Sequence, residues 1–453
     1  MPDERFDKDF LAVNHLRQEI SMFKQACLLL TIVIFCFADS VTAQNSNWPQ
    51  WRGPKLDNVS AESGLPTEFD KDTNLAYRLE LPGPGGASPI VWDDHVYLTT
   101  IDDADGIHLI CVDPSGSEKW RQPLKGKNKA SRDKANSASP SPCTDGEHIW
   151  ANSTAGYLQC FDMQGEEVWS VDLQDRYGDF KIQFGMTSTP ILDQGRLYLQ
   201  MIHGSMRDRS STSEGWVVAL DAKSGEEIWK HHRLTDGTLE NKHSYTSPII
   251  CREGDTEYLV THGADYAIGH SLEDGSELWR CGGLNPRDDR YNQFLRFVAS
   301  PVFYDGKLII PSAKNGPVFC LKTELEGTVE DNESSFHWKM EKGTPDVSTP
   351  ACHNGLVFLT RENGSLMVLE ADSGDITYSD RQFAGSHRSS PVIADDKVFV
   401  VDRTGKVLVF SLQKEPELLA TNDLAEETTA SPAIANGRIY IRTFEALYAF
   451  EMK

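Results

Sequence analysis

The sequence predicts an all-β fold, an eight-bladed β-propeller of four-stranded blades. Three observations predict it. Ser or Thr followed by Pro recurs eight times, at Ser88, Ser139, Thr189, Ser247, Ser300, Thr349, Ser390 and Ser431, at intervals of 41 to 58 residues. After each comes a short apolar run, a tight turn such as Asp145-Gly146 or Asn436-Gly437, and a β-branched segment such as HVYL or RIYI. Gly116, Gly165, Gly225, Gly275 and Gly374 each precede an aromatic residue by four: Trp120, Trp169, Trp229, Trp279 and Tyr378. Four-stranded units at such a period are the signature of a propeller.

Each element has a local reason. Pro at the first residue of the first strand is where a sheet tolerates a missing N–H. Asn-Gly and Asp-Gly turns between alternating apolar residues mark hairpins. The Gly before each aromatic supplies a positive φ for the turn into the fourth strand. The last unit stops after its third strand, near Phe450, and an unpaired strand-like segment, Leu75 to Leu81, precedes the first. Pairing the N-terminal strand with the C-terminal strands closes the ring and removes an exposed edge. The expected organisation is residues 1–43 as a signal peptide, 44–74 as a lead-in and 75–453 as the propeller.

The chain has 453 residues, 68 acidic against 44 basic, and a formal net charge of −24. That field repels phosphate and argues against nucleic-acid binding. Ala26 to Phe37 is an apolar run of twelve residues, short for a membrane span and right for a signal-peptide core. Val41-Thr42-Ala43 offers small residues for cleavage before Gln44, and translation from Met22 would give a compact signal. The alternative is an uncleaved membrane anchor. Cys36 follows Phe35, and Cys27 lies at the start of the apolar core, whereas a lipidated cysteine would follow that core, so no lipoprotein anchor is read. The chain is therefore expected to be exported, to the periplasm or beyond the cell. The other seven cysteines lie at least 17 residues apart, which favours buried thiols over zinc or redox motifs.

The D-x-x-G-x-x-x-W pattern of Asp113–Trp120 and Asp162–Trp169, with one extra residue in Asp221–Trp229, resembles the tryptophan-docking motif of the pyrroloquinoline quinone (PQQ)-like propeller repeat family. The opening Trp48-Pro49-Gln50-Trp51-Arg52-Gly53-Pro54, with Gly64-Leu65-Pro66, is similar to the start of secreted PQQ-like propellers of planctomycete-type bacteria. The resemblance implies that Trp120, Trp169, Trp229, Trp279, Trp338, Tyr378 and Tyr77 are structural docking aromatics packed between blades. For function it implies two precedents. One is a non-enzymatic binding or scaffold module, like the lipoprotein of the outer-membrane barrel assembly machine. The other is a quinoprotein dehydrogenase holding PQQ and calcium. The adjacent cysteine pair of many quinoprotein alcohol dehydrogenases is absent, and Ala351-Cys352-His353 lacks the first cysteine of a haem motif. The scaffold reading is therefore preferred, with a protein or cell-envelope partner. No cofactor is required; PQQ and calcium are what the dehydrogenase alternative would need.

In a propeller, the loop before each first strand and the loop between strands two and three share one face. Here the longest are Lys125–Ala138, Ile202–Glu214 and Gly282–Val298, carrying Arg132, Lys134, Arg207, Arg209, Arg287, Arg290 and Arg296. Insertions on one face suggest a binding face. The opposite face has short turns and one acidic insertion, Lys322–Ser335. Residues just before each Ser/Thr-Pro are expected to ring the channel mouth: Asn136, Gln183, His243, Tyr245, Arg296, Asp346, His387, Arg388 and Glu427. Basic groups there suit a carboxylate ligand, and Asp346 or Glu427 suits calcium. Weaker signals are Pro82-Gly83-Pro84-Gly85-Gly86, read as a turn into the first blade, and His231-His232, read as a solvated loop. The basic run Lys125, Lys127, Lys129, Arg132 and Lys134 is read the same way. No catalytic residue is identifiable.

Overall fold

The structure, a computed structural model, describes residues 47–128, 136–208, 214–286, 288–289, 291–329, 332–382 and 386–453. The proposed signal peptide lies outside the described residues, as do Lys129, Arg132, Lys134, Arg209, Arg287 and Arg290. Strands with apolar residues on both faces need cover on both sides, and they find it by packing sheet against sheet around one axis. Eight sheets form, each built on four antiparallel strands, and one of them carries a short fifth strand. Blade 1 runs outward through Ile90–Trp92, His95–Ile101, Ile107–Val112 and Glu118–Leu124. Blade 8 takes its outer strand from the other end of the chain. Leu75–Glu80 pairs with Ala446–Phe450, with Leu79 opposite Leu447 and Leu75 opposite Phe450. The predicted closure is thus present.

The ring is also closed at its axis by hydrogen bonds. The amide of Ser88 donates to Ser141 Oγ at 3.0 Å, Ser141 to Thr189 Oγ1 at 3.3 Å, and Thr189 to Ser247 Oγ at 2.9 Å. Ser247 donates to Ser300 and Ser300 to Thr349, both at 2.9 Å, then Thr349 to Ser390 at 3.0 Å. Ser390 donates to Ser431 at 2.8 Å, and Ser431 returns to Ser88 at 3.0 Å. This corrects one repeat boundary. Blade 2 starts at Ser141-Pro142, not Ser139-Pro140. The two dipeptides are two residues apart, so strand alternation turns both serines to the same side. Ser139 is spent on the Asn136 carbonyl at 2.7 Å, which leaves Ser141 for the ring.

The docking glycines serve a second purpose beyond positive φ. A Cβ on Gly225 would lie 2.7 Å from Trp169 Cε3, and one on Gly275 2.5 Å from Trp229 Cε3. Each glycine thus seats the aromatic of the preceding blade. The indole N–H groups of Trp120, Trp169, Trp229 and Trp338 donate to carbonyls of Met163, Ala222, Leu272 and Ala371 on the next blade. Trp120 and Trp169 stay half-exposed, whereas Trp229, Trp279 and Trp338 are buried. Trp279 is sealed differently. The acidic insertion of blade 5 sends Gly327–Thr328 to pair in parallel with the outer strand of blade 4, with Gly327 opposite Trp279. Trp279→Ala should lower stability by about 3–5 kcal/mol, the cost of a large core truncation, and Trp169→Ala by less; urea melts of the two variants measure the difference.

The lead-in is part of the ring. Trp48 exchanges both backbone hydrogen bonds with Val91 of blade 1 at 2.9 Å. The Thr144 amide donates to the Pro49 carbonyl, Leu192 to Gln50 Oε1, and Arg52 Nη1 to the Pro301 carbonyl. Ser60 then bonds Ile393 and Ile434. The segment therefore crosses the short-turn face and reaches blades 1, 2, 3, 5, 7 and 8. Trp48, Leu65 and Phe69 bury in the core that also holds Tyr448 and Phe450. All seven cysteines among the described residues are free and buried.

A channel mouth with paired charges

Two cavities follow one another along the axis. The outer one, about 160 Å³, opens on the long-loop face and is lined by Phe184, Thr187, Tyr245, Arg296, Val298, Asp346, Val347, Glu362 and Arg388. The inner one, about 140 Å³, lies at the hydroxyl ring and has Trp51 of the lead-in in its wall. Tyr245 and Arg388 reach the axis because each stands two residues before its ring hydroxyl, where alternation returns the side chain to the same side. On the opposite face a cavity of about 500 Å³ lies between Gln50, Leu56 and the inner strands of blades 3 to 6. Arg252 in its wall is held by Asp193 at 3.0 Å and Glu257 at 2.6 Å.

Of the expected mouth residues, the structure brings Tyr245, Arg296, Asp346 and Arg388 together. The others lie elsewhere. His243 is buried and its Nε2–H donates to the Gly204 carbonyl at 3.0 Å; burial lowers its pKa. His387 is also buried, and burial pushes its pKa down to about 4. Neither imidazole adds positive charge at neutral pH, which corrects the expectation of a basic ring. Asn136 is buried and caps the Ala138 amide at 3.0 Å. Gln183 is exposed. Glu427 binds Arg403 at 2.9 Å and does not line the mouth.

Glu362, Phe184, Thr187, Val298 and Val347 line the mouth without having been anticipated. Thr187, Val298 and Val347 obey the same two-residue rule as Tyr245, so the alternation itself was the available signal. Glu362 sits in the turn between the second and third strands of blade 6, on the long-loop face. It pairs with Arg388 at 3.4 Å. Arg296 pairs with Glu240 at 3.1 Å and lies 5.4 Å over the Phe184 ring. Burial raises the Glu362 carboxyl above its usual range, with Arg388 opposing the shift and nearby Asp346 reinforcing it.

This arrangement does not fit PQQ with calcium. The two guanidiniums are each already matched to a carboxylate, and in the absence of a cation between them Asp346 and Glu362 would repel a tricarboxylate. A volume of about 160 Å³ is also below the roughly 300–1,000 Å³ of sites that enclose organic ligands. Asp346 and Glu427 do not converge for a cation. Among the described residues, the group whose ligand atoms do converge is Asp145, Glu147 and His148, an acidic surface turn at the start of blade 2, away from the mouth.

A family profile described as outer membrane protein assembly factor BamB matches residues 105–376 and 328–453. The chain belongs to this family of PQQ-like propellers. It is 19% identical over 314 residues to the outer membrane protein assembly factor BamB of Shewanella oneidensis, covering 67% of this chain and 71% of that protein. Its Escherichia coli counterpart is 20% identical over 298 residues, covering 65% and 68%. Among solved structures, the quinohemoprotein alcohol dehydrogenase of Comamonas testosteroni superposes with a TM-score of 0.64 at 13% identity, covering 89% of this chain and 80% of that one. BamB from Moraxella catarrhalis gives 0.56 at 13% identity, covering 84% and 97%. At these identities the structural likeness speaks for the propeller alone.

Proposed function

We propose that this PQQ-like propeller is an exported, non-enzymatic scaffold that binds a protein partner of the cell envelope through its long-loop face. The observation that carries the reading is the state of the mouth: its cations are satisfied by its own carboxylates and its cavity is small. The long-loop face also presents two large exposed apolar side chains, Met206 and Phe294, the latter 56% exposed. Apolar side chains ringed by polar loops suit protein contact. The relatives named as assembly factors belong to the same family, which supports the envelope setting.

Two measurements test the proposal. Calorimetry with PQQ and calcium should give no heat of binding; a clear isotherm would favour the dehydrogenase alternative. A photo-crosslinking residue at Met206 should yield one defined adduct in intact cells, and a residue at Lys55 on the opposite face should not. Phe294→Asp should weaken the Met206 adduct about tenfold, the effect of removing an apolar anchor. Equal adducts from both faces would refute the face assignment.

A further inference from the structure

The hydroxyl ring does more than tie blades together. Each ring oxygen accepts the amide N–H of a neighbouring blade, and that bond uses one of its lone pairs. The hydroxyl proton is left over. None of the eight ring hydroxyls donates a hydrogen bond to another described residue, so eight O–H groups stand around one axis. Seven of them, all but Ser300, border a cavity of about 140 Å³ that has Arg388 as its one charged lining residue and no carboxylate.

A second cation lies on the other side. Arg52 follows Trp51 in the lead-in, is 1% exposed, and places its guanidinium carbon 5.5 Å from the Trp51 ring. Its Nη1 donates at 2.9 Å to the carbonyl of Pro301, the residue after ring hydroxyl Ser300. Its Nε and Nη2 are buried without a hydrogen-bond partner. Asp57 acts on it through space without a hydrogen bond, and burial lowers its pKa to about 10. Buried donors left unmatched are costly, and this guanidinium stands behind Trp51, which forms part of the cavity wall, without lining the cavity itself.

We propose that the axial ring binds a small inorganic anion of halide size, held by the ring hydroxyls beside Arg388, with the Arg52 guanidinium behind Trp51 adding to the positive field. A cation there would meet hydroxyl donors and the Arg388 guanidinium. A volume of about 140 Å³ accommodates one such ion with a few waters, each of which takes about 30 Å³.

Bromide is the probe. Crystals of the mature chain soaked in sodium bromide should show an anomalous peak on the axis at the ring. In solution, Tm in sodium chloride should exceed Tm in sodium gluconate at equal ionic strength and rise with chloride concentration, as linkage requires. Arg388→Gln should weaken chloride binding about tenfold or more, as loss of a charge-assisted contact does. Glu362→Gln, which removes the partner of Arg388 but no donor, should leave binding intact or tighten it. An axis holding only water, or peaks confined to the surface (an adventitious ion only), would overturn the proposal. So would a Tm indifferent to the anion in the wild type. Equal loss of chloride response in Arg388→Gln and Glu362→Gln would show a structural ion pair and also overturn it.

Discussion

Deleting Leu75–Glu80 should produce aggregate or strand-exchanged oligomer. The segment contributes five register pairs to the last blade. Its removal bares Ala446–Phe450, all five of whose side chains are buried, as an unprotected edge that pairs readily with other chains. It also removes Tyr77, whose ring seats Gly116 of blade 1 so closely that a Cβ there would lie 2.2 Å away. The loss therefore strikes the seam between first and last blades, where Ser431 and Ser88 make the closing hydrogen bond. Against a total stability of about 5–15 kcal/mol, loss of a whole strand and a docking aromatic leaves no folded margin. Tyr77→Ala alone should cost about 3–5 kcal/mol and still fold. Size-exclusion chromatography and circular dichroism of the deletion measure the outcome; a monomer melting with the wild type would show that the seam does not hold the ring.

The repeat was legible in the sequence because each blade repeats the same solution to the same problem: Pro at the inner strand, Gly beneath an aromatic. Blade 2 misled because Ser139 and Ser141 share one strand face, and only the neighbouring amide distinguishes them. At the mouth, Tyr245 and Arg388 were found where alternation applies. His243 follows a short 3-10 turn at Leu239–Lys242, and alternation does not survive such a turn, so its side chain went to the interior instead. The pairing of Arg388 with Glu362 depends on which loops meet across the face, which no local pattern encodes. The lead-in posed the same difficulty: Arg52 and Pro301 are 249 residues apart. The charge balance at the mouth thus came from tertiary structure, whereas the fold came from periodicity.

Acid should destabilise the protein steeply from pH 6.5 downward, a fall that begins well above the range of ordinary carboxylate titration. Four of the five buried histidines have pKa values pushed far down by burial: His203 and His387 to about 4, His262 and His270 to about 3. His270 shows why its proton is unwelcome. Its Nδ1–H donates to the Gly275 carbonyl at 3.1 Å and its Nε2 takes the Thr261 hydroxyl at 3.0 Å. The ring is thus satisfied as a neutral tautomer. Fully buried Arg233, whose Nε also bonds Thr261, stands nearby and repels a second positive charge. His262 faces the Pro311 carbonyl at 2.7 Å and the Phe297 ring. His203 packs against Phe180, and neither of its ring nitrogens has a hydrogen-bond partner among the described residues. In the unfolded chain each imidazole takes its proton near pH 6.5. A folded pKa depressed below that value gives stability that is full above pH 6.5 and lost as pH falls toward the folded value. Each group contributes about 1.4 kcal/mol per pH unit within the window, so four set a ceiling of about 5 kcal/mol per unit. Asp57 and Glu362, whose carboxyls burial raises, work in the opposite sense and soften the slope. Urea denaturation at pH 7 and pH 5 should therefore show a large fall in midpoint. His262→Gln, isosteric in part and without a titrating proton, should flatten the dependence while lowering stability at pH 7. Equal midpoints at the two pH values would mean that these imidazoles are hydrated or charged in the folded ring.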